Sequence, residues 1–589
     1  MLQHRVDDRS LLSRARTGTR RRTTPRGVRD AEALVDALAE CATRFGAAAR
    51  GEKTRVLARL ASIQIAGDKT LERLHEILCF MRAYPDDGAV QAAAEAALRQ
   101  VPDRVSRLTP RARARLHDSG IAGTDLDYPF GLPMTRWLVT RFSADVSIAW
   151  PKFTRGERLE EALCVLVSPV EAEALTEGGL GWRRWLRLAS GDARTELDVL
   201  LRLVEAAPMS EATREWLFDA LGLPIVWRLG VGAPSRTLLR LHGAPIFHHR
   251  GPLQRSAIDL AREIARPLRP LRRADRGLAK AVVDAARASM ATRARELHAF
   301  ARANARDVLV ADPGRGLRVA LVGLQPDDRL PLDAYYAYLA VKNGVPVSYG
   351  AGWGCFGTLE FALNIFESFR QGESALVVAQ ILRVYSRLFR MRTIVVDRSQ
   401  IDASNPEAVE TGAFYFYAKL GFRPTEPRVA RLADAERARI ARNPSHRSTP
   451  AMLKRLGRSN LAFTLDGGTP APVVSGSRLA ALATAHIARA FDGDRAAATA
   501  DAVARVSRML GATAWRRWSP PEQRAFERFA TLVGLIPDLE RWPAHDRERL
   551  RDVMRAKGGV SEARYLARLD AHRRLRESLQ ALVRDGPAP

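Results

Sequence analysis

Residues 337–349 read AYLAVKNGVPVSY, two apolar runs on either side of Asn343-Gly344. Asn and Gly both tolerate the positive φ angles of a type I′ turn, so this pair between apolar runs predicts a tight β-hairpin. A β-branched run at 317–324 precedes the hairpin, and we expect a further strand there. The change to short apolar runs near residue 317 indicates that a β-sheet domain begins at this point.

The segments after the hairpin alternate between strands and helices. We expect a strand over 359–369, then a loop, then a long helix with apolar residues at 375, 378, 379, 382, 385 and 389. A short apolar strand follows at 393–397, and a helix over 406–419 leads to Gly421-Phe422. The order of hairpin, strand, helix, strand, helix and strand predicts an α/β domain.

The rest of the chain is predicted to be mainly helical. Apolar residues at helical spacing over 31–313 predict a helical bundle or repeat-like region, although no fixed period emerges. Residues 1–30 are rich in arginine and poor in apolar residues, which predicts a disordered basic arm, with a wrongly assigned start codon as the alternative. We expect a helical extension and linker at 431–475 and a C-terminal helical domain at 476–589. The fold class is therefore α+β, a mostly α-helical multi-domain chain with a central mixed-sheet α/β domain over 314–430.

The chain carries 93 Lys and Arg against 66 Asp and Glu, a formal net charge of +27. Such a charge would suit a polyanionic partner, but the arginines are mixed with acidic residues along predicted helix faces, and codon bias accounts for an excess spread over the whole chain. We therefore do not expect nucleic acid as the main partner, while a protein partner for the helical regions stays open. The C-terminal aromatic residues are expected to form core rather than a base-stacking platform.

Neither the hydropathy nor the cysteine pattern indicates a membrane or secreted protein. We find no apolar run long enough to cross a bilayer and no signal-peptide core, so a cytoplasmic protein without a membrane partner is expected. The four cysteines, Cys41, Cys79, Cys164 and Cys355, lie far apart, which favours buried thiols over a disulfide framework or a zinc site.

The sequence contains two clusters of potential metal ligands. The segment LHGAPIFHHRG contains His242, His248 and His249, but no carboxylate or cysteine accompanies them at ligand spacing. Asp125 and Asp127 form one short acidic pair without the residues of a calcium loop. We expect ordinary loop histidines and no metal.

Residues 413–422 read AFYFYAKLGF, and this helix-to-strand segment, with the hairpin at Asn343-Gly344 and the loop after the strand that ends near Arg370, carries a family resemblance. Residues 317–424, about a fifth of the chain, resemble the GNAT superfamily of N-acetyltransferases. The whole chain is also similar to uncharacterised bacterial proteins that contain such a domain. The resemblance implies a fold that binds acetyl-CoA or another acyl-CoA and transfers the acyl group to an amine, here an unknown acceptor.

The resemblance places the pyrophosphate of coenzyme A on the loop before the long helix. A loop that leads into a helix N-terminus offers converging N–H donors and the positive end of the helix dipole. The candidate cofactor-binding residues are Arg370, Gln371, Gly372, Glu373, Ser374 and Ala375. Glu373 stands where the family has its central glycine, and a carboxylate directed at the pyrophosphate would weaken binding. An alternative role for Glu373 is to complement the helix dipole, and Ser374 is a candidate cap.

The resemblance also implies two catalytic candidates. Tyr417, four residues before Gly421-Phe422, corresponds to the family's tyrosine that protonates the leaving thiolate, with a core tyrosine as the alternative. The family's asparagine seven residues earlier is Glu410 here. Strand alternation puts Glu360 on the face that should line the cleft, as a base or as a solvated carboxylate, and Glu367 is a poorer candidate base.

Two functions remain open from the sequence. The first is an acyl-CoA-dependent N-acyltransferase. The alternative is a non-catalytic, degenerate GNAT-like scaffold whose helical arms bind a protein or nucleic-acid partner.

Overall fold

The computed structural model describes residues 26–585, apart from 193, 244, 256 and 469–473. The predicted basic arm lies outside the described residues up to 25, and a helix begins at Arg26. Part of the predicted linker, 469–473, also lies outside them. The described chain is α+β and mostly helical with a large mixed sheet, as the sequence predicts at this level.

Six helices at the N-terminal end pack onto the same hydrophobic core as the large sheet. Within the described residues they are α1 (Arg26–Ala42), α2 (Ala47–Ser62), α3 (Asp68–Ala83), α4 (Gly88–Arg99), α5 (Val101–Ser106) and α6 (Pro110–Ala114). The start of α4 is fixed by Asp87, whose carboxylate accepts from the Val90 N–H at 2.9 Å.

A second hydrophobic core lies within the region predicted as entirely helical. It contains the strands β1 (Asp125–Tyr128), β2 (Val146–Ile148) and β3 (Ile225–Arg228), in the antiparallel order β1-β3-β2. Around them lie α7 (Leu132–Phe142), α8 (Gly156–Leu166), α9 (Pro169–Thr176), α10 (Trp182–Ser190), α11 (Glu196–Ala206) and α12 (Glu211–Leu221). Trp227 on β3 is fully buried against Trp137 and Phe142. The three strands are too short to leave a clear alternation in the sequence.

The large sheet has the order β11-β12-β10-β9-β8-β7-β6-β5-β4 in the described chain. Its strands are β4 (Arg272–Arg273), β5 (Ala303–Gly314), β6 (Leu317–Leu324), β7 (Ala334–Lys342), β8 (Val345–Cys355), β9 (Thr358–Ile365), β10 (Thr393–Val396), β11 (Arg423–Pro424) and β12 (Leu461–Thr464). All neighbouring pairs are antiparallel except β9 and β10, which are parallel. The sheet extends beyond 314–430 at both ends, because β5 begins at Ala303 and β12 lies between β10 and β11.

The predicted hairpin turn joins β7 to β8. Asn343 and Gly344 have φ angles of 51° and 81°, the left-handed values that the turn requires. The Asn343 side chain also donates to the Ala83 carbonyl oxygen at 2.9 Å and accepts from the Phe247 N–H at 2.8 Å. The turn is therefore buried, and it anchors α3 and the segment around Phe247 to the end of the sheet.

Helix α16 (Ser374–Phe389) crosses from β9 to β10 and covers one face of the sheet, where its Tyr385 hydroxyl donates to the Tyr336 carbonyl oxygen at 2.7 Å. The helix predicted over 406–419 is two helices, because Gly412 at φ 69° interrupts it. The other helices near the sheet are α13 (Leu260–Ala265), α14 (Arg276–Ala291), α15 (His298–Ala301), α17 (Pro406–Thr411), α18 (Ala413–Lys419), α19 (Pro427–Arg442) and α20 (Pro450–Leu456).

The C-terminal helices share the hydrophobic core of the large sheet. They are α21 (Gly476–Phe491), α22 (Arg495–Met509), α23 (Pro520–Val533), α24 (Ala544–Lys557), α25 (Glu562–Asp570) and α26 (Arg573–Asp585). Their aromatic residues are core, as predicted: Trp515, Phe526, Phe529 and Trp542 are buried, and Trp518 packs against them. Each helix in the described part of the chain is too short or too polar to cross a bilayer.

Candidate functional site

The parallel strands β9 and β10 pair over only three residues. Residues 358–360 of β9 face 393–395 of β10, while β9 continues to Ile365. Beyond the paired region the two strands part, and we call the space between them the β9–β10 gap. The backbone groups of residues 361–365 on this edge are not paired with β10, so they must find other partners.

The Gln400 side chain forms hydrogen bonds with part of this free edge of β9. Gln400 Oε1 accepts from the Leu363 N–H at 3.1 Å, and Gln400 Nε2 donates to the Phe361 carbonyl oxygen at 2.8 Å. Arg370 Nε donates to the Ile365 carbonyl oxygen at 3.1 Å. The Gln400 amide therefore bonds to β9 as a peptide unit of a neighbouring strand would. Sequence spacing carries no signal for this role, because Gln400 is distant from β9 in the chain.

The predicted cofactor loop lies at the open end of the β9–β10 gap. The first-turn N–H groups of α16 have no acceptors within the helix, so they form the positive end of its dipole. Arg370 forms an ion pair with Glu407, and the exposed Arg255 side chain donates to the Gln371 carbonyl oxygen. Ser374 and Ala375 are half-buried at the helix start. The loop is therefore lined with cations and partly accessible.

Glu373 is turned under the loop. Its side chain is 1% exposed and pairs with Arg315 at 2.5 Å and with Lys342 Nζ at 3.3 Å, and it accepts from the Gln254 N–H at 3.1 Å. Burial alone would raise its pKa, but the Lys342 charge, the Gln254 hydrogen bond and Arg315 hold the pKa below its ordinary value. The carboxylate is thus already neutralised by buried and half-buried cations.

Two other residues of the loop, Gly372 and Ser374, have structural roles. The Ser374 hydroxyl donates to the Arg370 carbonyl oxygen at 3.0 Å, so it does not cap the helix. A Cβ at Gly372 would lie 2.7 Å from the Tyr84 hydroxyl oxygen, which explains the glycine at this position. Tyr84, at the end of α3, closes the inner side of the loop.

Tyr417 is buried on the face of the sheet that α16 covers. Its ring packs on Phe422 with a centroid distance of 5.5 Å, and it lies close to Tyr338, which stacks on Phe361. Burial raises the pKa of Tyr417 well above its ordinary value. The phenol is therefore protonated at neutral pH, as a general acid must be, and its aromatic packing equally suits a core residue.

Glu360 lies on the opposite face from Phe361 and Tyr417, because side chains alternate along β9. Glu360 is an exposed residue, yet the surrounding protein removes part of the water from its carboxyl group. This desolvation, and after it the negative charges of Asp397 and Asp333, raises the pKa of Glu360 to about 7. The described structure records no contact between Glu360 and Tyr417. The two candidates could act on one substrate only through the β9–β10 gap.

Glu367, the second candidate base, and Glu410, which stands at the position of the family's asparagine, are less well placed. The strand predicted over 359–369 ends at Ile365, and 367–369 is a helical turn, so Glu367 is an exposed turn residue rather than a strand residue. Glu410 is exposed on α17. Strand alternation also places Asn364 on the face of Glu360, and its buried Oδ1 has no hydrogen-bond partner among the described residues.

Neither predicted metal candidate forms a convincing site. His249 is buried among the rings of Phe45, Tyr84 and Phe247, and its pKa is lowered to about 3 by burial and by the Lys342 charge. Asp127 lies near His117 and Asp118 but forms an ion pair with Lys152. Asp125 is not part of that group.

Comparisons of this chain with family models, curated proteins and solved structures give no match. A function for the β9–β10 gap is therefore a proposal that rests on its geometry and on the resemblance of residues 317–424.

Proposed function

We propose that the protein is an acyl-CoA-dependent N-acyltransferase. The position of Glu373 is the observation that carries this proposal. A carboxylate at the helix start was the main objection to pyrophosphate binding, and Glu373 instead pairs with Lys342 and Arg315 beneath the loop. The N-terminus of α16 is thereby left as a positive site at the end of the gap.

The surrounding charges suit two phosphate groups. Arg255 donates to the Gln371 carbonyl oxygen of the loop, Arg370 within the loop pairs with Glu407, and the Arg315 side chain is 39% exposed. Guanidinium groups bind phosphate oxygens in a bidentate manner, and the first-turn N–H groups add further donors. The residues present therefore fit the pyrophosphate of coenzyme A.

The edge of β9 suits the amide-containing arm of the same molecule. Gln400 shows that an amide can bond to Phe361 and Leu363 from the gap side. An amide of the arm would make equivalent bonds only if the Gln400 side chain moved away. Binding should therefore include a local rearrangement at Gln400.

Acid and base roles follow from the two faces of the sheet. A bound acyl-CoA would supply the acyl group as a thioester. Glu360, with a pKa of about 7, is partly ionised at neutral pH and can take a proton from an amine, while the free Asn364 Oδ1 can accept a hydrogen bond from it. Tyr417, on the other face, holds a proton for the departing sulfur.

A pair of substitutions at Ala375 tests the cofactor site. Ala375→Asp adds a carboxylate to the first turn of α16, which stabilises the helix but repels phosphate, and Ala375→Asn is the uncharged control of equal size. We expect calorimetry to show coenzyme A affinity reduced at least tenfold in Ala375→Asp and nearly unchanged in Ala375→Asn. Equal affinities in the two variants would contradict binding at this helix.

The scaffold alternative has an observation of its own. Gln400 already satisfies the β9 edge, and Tyr417 is packed as a core residue. In that case neither acetyl-CoA nor coenzyme A binds, and the helical regions act through a protein or nucleic-acid partner. Binding of nucleic acid would be recognised by a steep loss of affinity with salt.

A further inference from the structure

A buried cluster of reactive side chains lies between α3 and the end of β9, apart from the site described above. We call it the Cys79 cluster. Its members are His75, Glu76 and Cys79 of α3, Arg236 and Thr237, Arg293 after α14, and Ser368. Cys79 is 4% exposed and His75 is fully buried.

The cluster contains a cysteine, a histidine and a carboxylate in series. Cys79 Sγ lies 3.5 Å from His75 Nε2, and His75 Nδ1 lies 3.7 Å from Glu76 Oε1. Glu76 in turn pairs with Arg236 and accepts from the Ser368 hydroxyl. His75 Nε2 also lies 3.1 Å from the Thr237 hydroxyl, and Nδ1 has no hydrogen-bond partner among the described residues, so Glu76 acts on the imidazole as a nearby negative charge. The imidazole can exchange a proton with the thiol, as in sites where histidine activates a cysteine.

Several cations surround the sulfur. Burial would raise the Cys79 pKa, but His75 and Arg82 lower it below its ordinary value. Burial would likewise lower the His75 pKa, but the Cys79 sulfur and Glu76 raise it to about 9. Both effects favour a thiolate beside an imidazolium.

A small cavity meets the sulfur. It has a volume of about 10 Å³ and is lined by Cys79, Arg236, Arg293 and Ser368, together with apolar residues. This volume is about that of one water-sized probe. As it stands the cavity holds one water-sized molecule beside Cys79, Arg236 and Arg293, so hydrogen peroxide, with its two oxygen atoms, enters only with a small shift of the lining side chains.

We propose that Cys79 is a peroxide-reactive cysteine that hydrogen peroxide oxidises to a sulfenic acid. The thiolate sulfur attacks one peroxide oxygen, an S–O bond forms, and the O–O bond breaks. The sulfur loses two electrons, and the departing hydroxide takes a proton from the His75 imidazolium and leaves as water. Arg236 and Arg293 stabilise the negative charge that develops on the leaving oxygen. The reaction needs no coenzyme A, so it is independent of the proposed acyltransferase function.

The other three cysteines are internal controls. Cys41 is also buried, and both sulfurs lie near a backbone carbonyl oxygen, Cys41 Sγ at 3.4 Å from that of Leu38 and Cys79 Sγ at 3.7 Å from that of Arg236. For Cys41, however, burial and the Glu52 charge raise the pKa. Burial and the neighbouring Asp333 raise the pKa of Cys355. Cys164, on α8, is only partly buried. Accessibility alone therefore predicts that Cys164 reacts before Cys79, whereas the cluster predicts the reverse.

The test adds equimolar hydrogen peroxide to the full-length native protein, unfolds samples over time in urea that contains dimedone so that buried sulfenic acids become accessible, and quantifies the labelled cysteines by mass spectrometry. We expect Cys79 to be labelled at least tenfold faster than Cys41, Cys164 and Cys355, and this advantage to vanish when the peroxide is added to the protein already unfolded in urea. In His75→Gln the rate at Cys79 should fall at least tenfold. Faster labelling of Cys164, or equal rates at Cys79 and Cys41, would overturn the proposal without any variant. An unchanged rate in a folded His75→Gln protein would overturn the role of His75.

Discussion

Replacing Glu373 by Gln removes a buried charge while keeping the shape of the side chain. The wild-type carboxylate holds Lys342 at 3.3 Å and Arg315 at 2.5 Å and accepts from the Gln254 N–H. The Lys342 side chain is 3% exposed, so in the variant its ammonium group keeps the Arg315 carbonyl oxygen but loses its countercharge. Breaking one partner of a buried ion pair costs about 3–5 kcal/mol.

For Glu373→Gln we expect a loss of stability at the lower end of the range for a broken buried ion pair. Arg315 is partly exposed and can turn to solvent, and Lys342 can relieve its own penalty by losing a proton, because burial lowers its pKa to about 8 even beside Glu373. We therefore expect Glu373→Gln to lower the free energy of unfolding by about 3 kcal/mol at pH 7.

Urea unfolding followed by tryptophan fluorescence measures this loss. Lys342→Met should also destabilise the protein, and the double variant should lose less than the sum of the two, because no charge is left buried alone. Arg315→Met serves as the control for the more exposed partner and should cost less than about 1 kcal/mol. A loss below about 1 kcal/mol in Glu373→Gln, or strictly additive losses, would refute the placement of Glu373 under the loop.

Further predictions concern catalysis, pH and packing. Tyr417→Phe should lower the rate of acyl transfer about 10²–10⁴-fold in a thiol-release assay while coenzyme A affinity stays the same, and an unchanged rate would favour the scaffold. Glu360→Gln should reduce the rate and remove the pH dependence that a group with a pKa of about 7 imposes; a wild-type profile in this variant would exclude Glu360 as the base. Burial raises the pKa of Glu296 to about 8, although the hydrogen bond that its carboxylate accepts from the Gly131 N–H opposes this shift. The folded protein therefore keeps a proton on Glu296 that the unfolded chain releases at lower pH. Stability should therefore fall as pH rises from about 4.5 to about 8, and Glu296→Gln should stabilise the protein at pH 8 by on the order of 3 kcal/mol but not at pH 4, which pH-dependent urea unfolding would detect or disprove.

The elements that local pattern determines were predicted well. Asn343-Gly344 gives a hairpin because its φ preference acts within four residues, and the apolar face of α16 follows from a helical period. The strand predicted after the helix over 406–419 is the two-residue β11, whereas the four-residue β12 left no comparable signal. Strand β12 enters the sheet by pairing with β11 and with β10, the latter nearly seventy positions earlier, and such long-range pairing is invisible in a single sequence.

Only the local features of the candidate site could be predicted from the sequence, because its other features depend on contacts between distant residues. Residues 370–375 could be recognised from their position before a helix, but the direction of Glu373 depends on Lys342 of a strand 31 positions earlier. The bond from Gln400 to β9 likewise joins residues 37 and 39 positions apart. The ion-pair partners of Glu373 and the hydrogen bonds on the free edge of β9 depend on the assembled sheet, so they cannot be predicted from sequence spacing.

Calorimetric titration of the wild-type protein with acetyl-CoA, compared with S-acetylpantetheine, tests the central claim most directly. Both ligands carry the thioester and the amide-containing arm, but only acetyl-CoA carries the pyrophosphate that the N-terminus of α16 is proposed to bind. We expect saturable binding of acetyl-CoA and affinity at least tenfold weaker for S-acetylpantetheine. Absence of acetyl-CoA binding, or equal affinity for the two ligands, would contradict the proposed site.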